Sequence, residues 1–197
     1  AVIITYEVAL DADGISVAAS VGNNAALTIG GALASGGSVT NASARQVTIL
    51  SAGNDSSKSF NIVGTDVNGA ALTENLTGGN AGTATSSGYF KTITSITAVG
   101  NPAGNVSAGI NNNALGVVFA GRTRLQGFSF VSGGTAGTAN LRDTGATGTE
   151  VIQFRSTGTD SQSDGARGFP DEGILFKDGC FVTFIVGTID LMMFYHA

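Results

Sequence analysis

The stretch KSFNIVGTDVNGAALTENLT, residues 58–77, decides the fold class because it contains two strands and the turn that joins them. Side chains at alternate positions share one face of a strand, and here they are Phe60 and Ile62 in the first half and Leu72, Glu74 and Leu76 in the second. Asp66-Val67-Asn68-Gly69 separates the halves with residues that favour turns. The stretch therefore predicts an antiparallel β-hairpin.

The rest of the chain has the same character. Thirty of its 197 residues are glycine, two are proline, and only 12% are charged. Short β-branched runs recur between Gly, Asp and Ser clusters, and no segment keeps the spacing of an amphipathic helix. We therefore predict an all-β protein made of two antiparallel β-sandwich-like or barrel-like modules, with very little helix.

Charge and aromatic content change near residue 120. Residues 1–120 carry nine charged side chains, whereas residues 121–197 carry fourteen in much less length. Eight of the eleven phenylalanines also follow residue 120. This change predicts an N-terminal β-module over residues 1–120 and a C-terminal β-module over residues 121–197.

Further turns and a loop follow from local composition. In ILFKDGCFVTF, residues 174–184, Asp178-Gly179 between two apolar runs predicts a two-residue hairpin with Lys177 opposite Cys180. Asp11-Ala12-Asp13-Gly14 predicts a turn between two strands. The polar segment 157–172 predicts a long loop that is either a contact element or mobile. In TRLQGFSFV, alternation places Phe128 and Leu125 on opposite faces of a strand.

The residues that could carry catalysis are few. A reactive thiol usually needs a base beside it, and the one cysteine, Cys180, has only His196 as a histidine partner in the whole chain. Two carboxylate pairs, Asp160 with Asp164 and Asp171 with Glu172, are candidates for acid–base chemistry, but solvated loop carboxylates explain them more simply. We predict that the chain is not an enzyme and has no catalytic residue.

Metal and cofactor sites are also not predicted. One histidine and one cysteine are too few for a zinc site. The segments 11–14 and 66–69 resemble the start of a calcium loop, but the twelfth position is Gly22 in one case and Thr77 in the other, where a glutamate is needed. Turns explain both segments, and the Gly-rich runs lack a nucleotide-binding fingerprint.

Overall charge limits the class of partner. The net charge is −5 and the isoelectric point is about 4.6, whereas nucleic-acid binding needs clustered lysine and arginine. No apolar run approaches the length of a membrane span. We expect neither nucleic acid nor a membrane as a partner.

Two parts of the chain resemble structural proteins of tailed bacteriophages. In the first, residues 45–98, the resemblance rests on the SAGNDS turn, the GTDxNG hairpin and the strand YFKTITS. In the second it rests on residues 124–154, on DEGILFKDGCFVTF and on MMFYHA. The chain departs from the family pattern at IVGTIDLMMFY, where Leu-Met-Met replaces a Val-rich strand.

The resemblance implies a protein of the virion, assembled in the host cytoplasm. It implies most directly a capsid decoration, or cement, protein that binds the major capsid protein as a homotrimer. A tail, baseplate or fibre component is the alternative within that class. A carbohydrate-binding adhesion module is a third hypothesis, for which Tyr6, Tyr89 and Tyr195 would have to supply the aromatic platforms.

Overall fold

A computed structural model describes residues 2–6, 10–132, 135–156, 158, 163–185 and 189–196. The all-β prediction is confirmed: 67% of the chain is in strands, and the described residues contain no helix. The strands form two antiparallel sheets of ten and five strands. Within the described part of the chain neither sheet closes into a barrel.

The chain divides into two compact units. One is Ala9–Asn111, and the other joins the N-terminal strand to Asn112–Ala197. The predicted module boundary, after residue 120, lies just past the end of the strand Asn105–Phe119, which contributes its first residues to one unit and the remainder to the other.

The unit Ala9–Asn111 contains seven strands, including the first part of β8. They are β2 (Asp11–Ser20), β3 (Ala34–Ser35), β4 (Ser38–Ser51), β5 (Ser59–Thr65), β6 (Ala71–Thr77), β7 (Thr83–Val99) and β8 (Asn105–Phe119). The strand order is β8-β4-β7-β5-β6, with β2 paired to β8 and β3 paired to β4. The core includes the fully buried side chains of Phe60, Ile62, Phe90, Ile93 and Ile96.

The second unit uses strands from both ends of the chain. They are β1 (Val2–Tyr6), the remainder of β8, β9 (Thr123–Ser132), β10 (Gly137–Asp143), β11 (Glu150–Ser156), β12 (Ser163–Gly168), β13 (Ile174–Phe176), β14 (Cys180–Ile185) and β15 (Ile189–His196). One group has the order β11-β10-β14-β8, and the other has the order β1-β15-β9-β12 with β13 also on β9. The core gathers Leu125, Leu141, Phe176, Phe184 and Met193.

The hairpin predicted from residues 58–77 is confirmed. β5 and β6 pair over their whole length, from Ser59 opposite Thr77 to Thr65 opposite Ala71, without a register shift. At the turn, Asp66 Oδ1 accepts hydrogen bonds from the backbone N–H of Asn68 at 2.8 Å and of Ala70 at 2.9 Å. The turn therefore forms from groups within five residues of one another, which is why its sequence predicts it.

Strand β7 contains a bulge where it pairs with β5. Val63 lies opposite Ser95 and Gly64 lies opposite Ile93, so Thr94 is an extra residue, and its hydroxyl donates to the carbonyl of Val63. Such a bulge reverses which residues face inward, so Ile93 and Ile96 are both buried. A side chain at Gly64 would lie 1.9 Å from the carbonyl oxygen of Thr92, so only glycine fits there.

The predicted hairpin at Asp178-Gly179 is wrong. β13 pairs with β9, whereas β14 pairs with β8 and β10, so the two runs belong to different sheets. Gly179 does have a positive φ, of 134°. The link therefore carries the chain from one sheet to the other.

Three other local predictions also need correction. Asp11–Gly14 lies inside β2, where a register shift against β8 takes up the extra residues. The segment 157–172 contains β12, which pairs with β9. Leu125 and Phe128 contact the same core because the pairing of β9 with β15 shifts register between them. In each case a distant strand decides the conformation.

Candidate functional site

Cys180 lies at the start of β14 and is 1% exposed. It belongs to the core that also contains Val182 and Phe184. Burial, together with the negative charge of Asp143, raises the pKa of the Cys180 thiol to about 12. Because the thiolate is the reactive form of cysteine, this environment suppresses nucleophilic chemistry.

We expect Cys180 to resist alkylation in the folded protein. With a pKa near 12, only about one thiol in 10⁴ is ionised at pH 8. A maleimide or iodoacetamide reagent should therefore label the native chain far more slowly than the chain in urea, where one equivalent should react. Rapid labelling without denaturant would contradict the buried placement.

Asp143 lies beside Cys180 and binds the link between β13 and β14. Its carboxylate accepts hydrogen bonds from the backbone N–H of Lys177 at 3.1 Å and of Asp178 at 3.0 Å. Desolvation alone would raise the pKa of Asp143, but the N–H groups of Asp178, Lys177 and Thr144 together lower it below its ordinary value. The ionised carboxylate of Asp143 thus holds the segment between β13 and β14 in place through hydrogen bonds.

Replacing Asp143 by alanine should lower the free energy of unfolding by about 1–2 kcal/mol at neutral pH, because hydrogen bonds to a charged acceptor are lost. Since the pKa of Asp143 is lower in the folded chain than in the unfolded chain, this stabilisation is present above pH 4 and is lost as the pH falls through the folded-state pKa. Urea titrations between pH 3 and pH 7 would measure the difference. Asp178→Ala is the control, and an equal loss in both variants would refute the assigned role.

Other acidic side chains bind backbone in the same way, and we call the set the carboxylate clamps: Asp55, Asp66, Glu74 and Asp143. Glu74 accepts N–H groups from Ser87 and Gly88, each at 2.8 Å, and Asp55 accepts the N–H of Ala103 at 2.7 Å. Asp55, Asp66 and Asp143 bind connecting segments, whereas Glu74 binds an irregular stretch within β7. The clamps were not predicted as a set, because in three of them the partner is distant in sequence.

Of the two candidate acid–base pairs, the structure describes the side chains of Asp171 and Glu172 only. Asp171 and Glu172 are both exposed, and Glu172 forms an ion pair with Arg124 at 2.9 Å. Asp160 and the side chains of Asp164 and His196 lie outside the described residues. Among described residues, no group of three or more His, Cys, Asp or Glu side chains could hold a metal ion.

The aromatic residues proposed for sugar binding are partly covered. Tyr89 is half-buried on β7. Tyr195 is also half-buried, and its ring lies 5.3 Å from that of Phe119. The side chain of Tyr6 lies outside the described residues.

A shallow hollow of about 300 Å³ lies in the unit Ala9–Asn111. Its lining contains no charged residue and consists of Ala18, Leu50, Ser51, Ala52, Ala81, Asn105 and Ser107. The buried Ser51 hydroxyl there has no hydrogen-bond partner among the described residues. Such a lining offers an uncharged contact surface without an acidic or basic side chain.

Several large apolar side chains are exposed within each unit. In Ala9–Asn111 the most exposed are Leu10 at 63% and Val17 at 56%. In the other unit they are Val151 and Phe194.

Among the residues described, no helix is long and apolar enough to cross a membrane.

The structure thus presents strand edges, uncharged surfaces and carboxylates that are used to bind backbone. Comparison of the chain with protein-family models, with curated proteins and with solved structures finds no match.

Proposed function

We propose that this chain is a non-enzymatic structural protein of tailed-bacteriophage particles. Its role would be that of a capsid decoration protein, which binds the major capsid protein as a homotrimer and stabilises the shell. The resemblance of residues 45–98 to phage structural proteins carries the proposal. The setting that it implies is the virion, assembled in the host cytoplasm.

The use of the acidic side chains is consistent with a structural role. Asp66, Glu74 and Asp143 each accept two backbone N–H groups. Carboxylates that hold loops in place give a protein fixed surfaces for contact, which is what a shell-binding protein requires. The buried Cys180 adds no reactive group.

Exposed apolar side chains and open strand edges suit lateral binding. Leu10 and Val17 are more than half exposed, and β6 ends its sheet. Surfaces of this kind become buried when a protein associates with neighbours. They support a role in assembly without identifying the neighbour.

Binding to emptied shells would test the proposal. Purified protein would be mixed with shells of the major capsid protein that lack it, and bound density would be located by cryo-electron microscopy. The proposal expects trimeric density on the shell and a raised temperature of shell disruption. Density confined to the tail would instead support a tail, baseplate or fibre component, and absence from the particle would refute both.

A further inference from the structure

Strand β6 has one unoccupied edge. It lies at the end of its sheet and pairs only with β5 among the described strands. Hydrogen bonds at the two ends of the hairpin show which residues of β6 bond to β5. Beside the turn, Asp66 N–H donates to the Ala70 carbonyl, and at the open end Gly78 N–H donates to the Lys58 carbonyl.

This alternation decides which backbone groups face outward. In an antiparallel pair, residues that exchange hydrogen bonds alternate with residues that do not, so Leu72, Glu74 and Leu76 direct their N–H and C=O groups to β5. The remaining residues direct theirs to the open edge, and they are Ala71, Thr73, Asn75 and Thr77. The edge is therefore a regular row of unpaired donors and acceptors.

The edge also lacks most of the features that usually prevent strand pairing. Natural edges are protected by lysine, proline, bulges or inward-pointing charges. The side chains of Ala71, Thr73, Asn75 and Thr77 are neutral and exposed, and β6 has no register shift against β5. The one charged residue on β6 is Glu74, which lies on the inner face with Leu76, and its carboxylate accepts N–H groups from Ser87 and Gly88.

We propose that the open edge of β6 binds the same edge of a second copy of this chain, antiparallel and centred on Asn75. In this register Thr73 lies opposite Thr77 of the second copy, and the two Asn75 side chains lie opposite each other. Asn61 already lies opposite Asn75 within the chain, so the pairing extends an existing row of amides. A register centred on Glu74 would place two carboxylates opposite each other, which is unfavourable.

This inference rests on the proposed function, because a shell that binds many copies would bring the β6 edges of neighbouring copies together. It relates two copies by a twofold axis, so in a trimeric protein it would join one trimer to the next. A single strand pair buries less area than a stable interface needs. The contact is therefore weak between free chains and gains strength where copies are held side by side.

Disulfide trapping tests the register. Opposed residues of a hydrogen-bonded antiparallel pair have Cα atoms about 5.5 Å apart, which lies within the range of a disulfide. Asn75→Cys should therefore form a covalent dimer under mild oxidation at high protein concentration. Ala71→Cys, on the same edge, should form none, because the two Ala71 positions are far apart in this register, and the buried Cys180 should remain unreacted.

A charge variant supplies the second measurement. Sedimentation of the unmodified chain should show a rise in mass with concentration. Asn75→Lys places two ammonium groups opposite each other and should abolish that rise. Asn101→Lys is the matched control, because it makes the same exchange at an exposed position between β7 and β8. Thermal melting of each variant checks that it is folded.

The outcomes separate this inference from the proposed function. Equal trapping at positions 71 and 75, no trapping at position 75, or equal self-association of the two lysine variants would overturn the pairing. Trapping at position 75 without binding to shells would support the pairing and count against the decoration role. Shell binding by a chain that is not trapped would count against the pairing alone.

Discussion

Replacing Gly179 by valine should lower the free energy of unfolding of the unit that contains Asn112–Ala197 by about 4 kcal/mol. Gly179 has a φ of 134°, where a side chain is strained. An added Cβ would also lie 2.8 Å from the ring of Phe181 and 3.0 Å from the carbonyl oxygen of Phe119. Domains are stable by only about 5–15 kcal/mol, so a substantial part of that margin would be lost.

Gly145→Val separates the two causes. Gly145 also has a positive φ, of 128°, but an added Cβ meets nothing within 4 Å, so only the backbone strain of about 1–3 kcal/mol applies. Alkylation of Cys180 during a urea titration would measure both variants, because this single thiol becomes reactive when its unit unfolds. Equal midpoints for the two valine variants would show that the collision at position 179 is relieved.

Phe176→Ala should cost the same unit about 3–5 kcal/mol, the usual loss for a buried phenylalanine. Phe176 is fully buried and belongs to the core that includes Leu125 and Met193. Removing its ring leaves a cavity, because β13 is held to β9 by backbone hydrogen bonds and cannot move inward freely. The midpoint of urea unfolding, followed by the same thiol probe, gives the loss.

Phe194→Ala is the matched control, because the Phe194 side chain is 39% exposed. Its removal leaves no closed cavity, so a loss of about 1 kcal/mol is expected. A similar loss for the two alanine variants would mean that Phe176 is not a principal core residue of this unit.

The sequence predicts the parts of this fold that depend on near neighbours. Asp66 binds the N–H groups of Asn68 and Ala70, so the turn between β5 and β6 is determined within a few residues. The buried alternation at Phe60 and Ile62 is local as well. The all-β class follows from many such segments.

Contacts between residues far apart in the sequence explain why the hairpin prediction at Asp178-Gly179 is wrong. Asp178-Gly179 has the composition of a hairpin turn, yet Asp143, 35 residues earlier, binds the N–H of Asp178. With that N–H held by β10, the two flanking runs join different sheets. A local pattern carries no information about a carboxylate so far away in the chain.

The candidate surfaces were only partly predictable. The composition of β6 predicts a strand, but not that it lies at the end of a sheet, because the position of a strand depends on which others pair around it. The hydrogen bonds of the Glu74 carboxylate to Ser87 and Gly88 likewise depend on the position of β7, which the sequence of β6 does not determine. That the chain offers Cys180 only one histidine, His196, can by contrast be read directly from the sequence.

The pairing of β1 with β15 has a consequence for synthesis on the ribosome. β1 leaves the ribosome before strands β2–β14, whereas its partner strand β15 follows all of them. At 5–20 residues per second, translation of the intervening chain takes roughly 10–40 s. During that time β1 has no strand to pair with. The unit Ala9–Asn111, by contrast, contains all its own strands and can fold while the remainder is still being made.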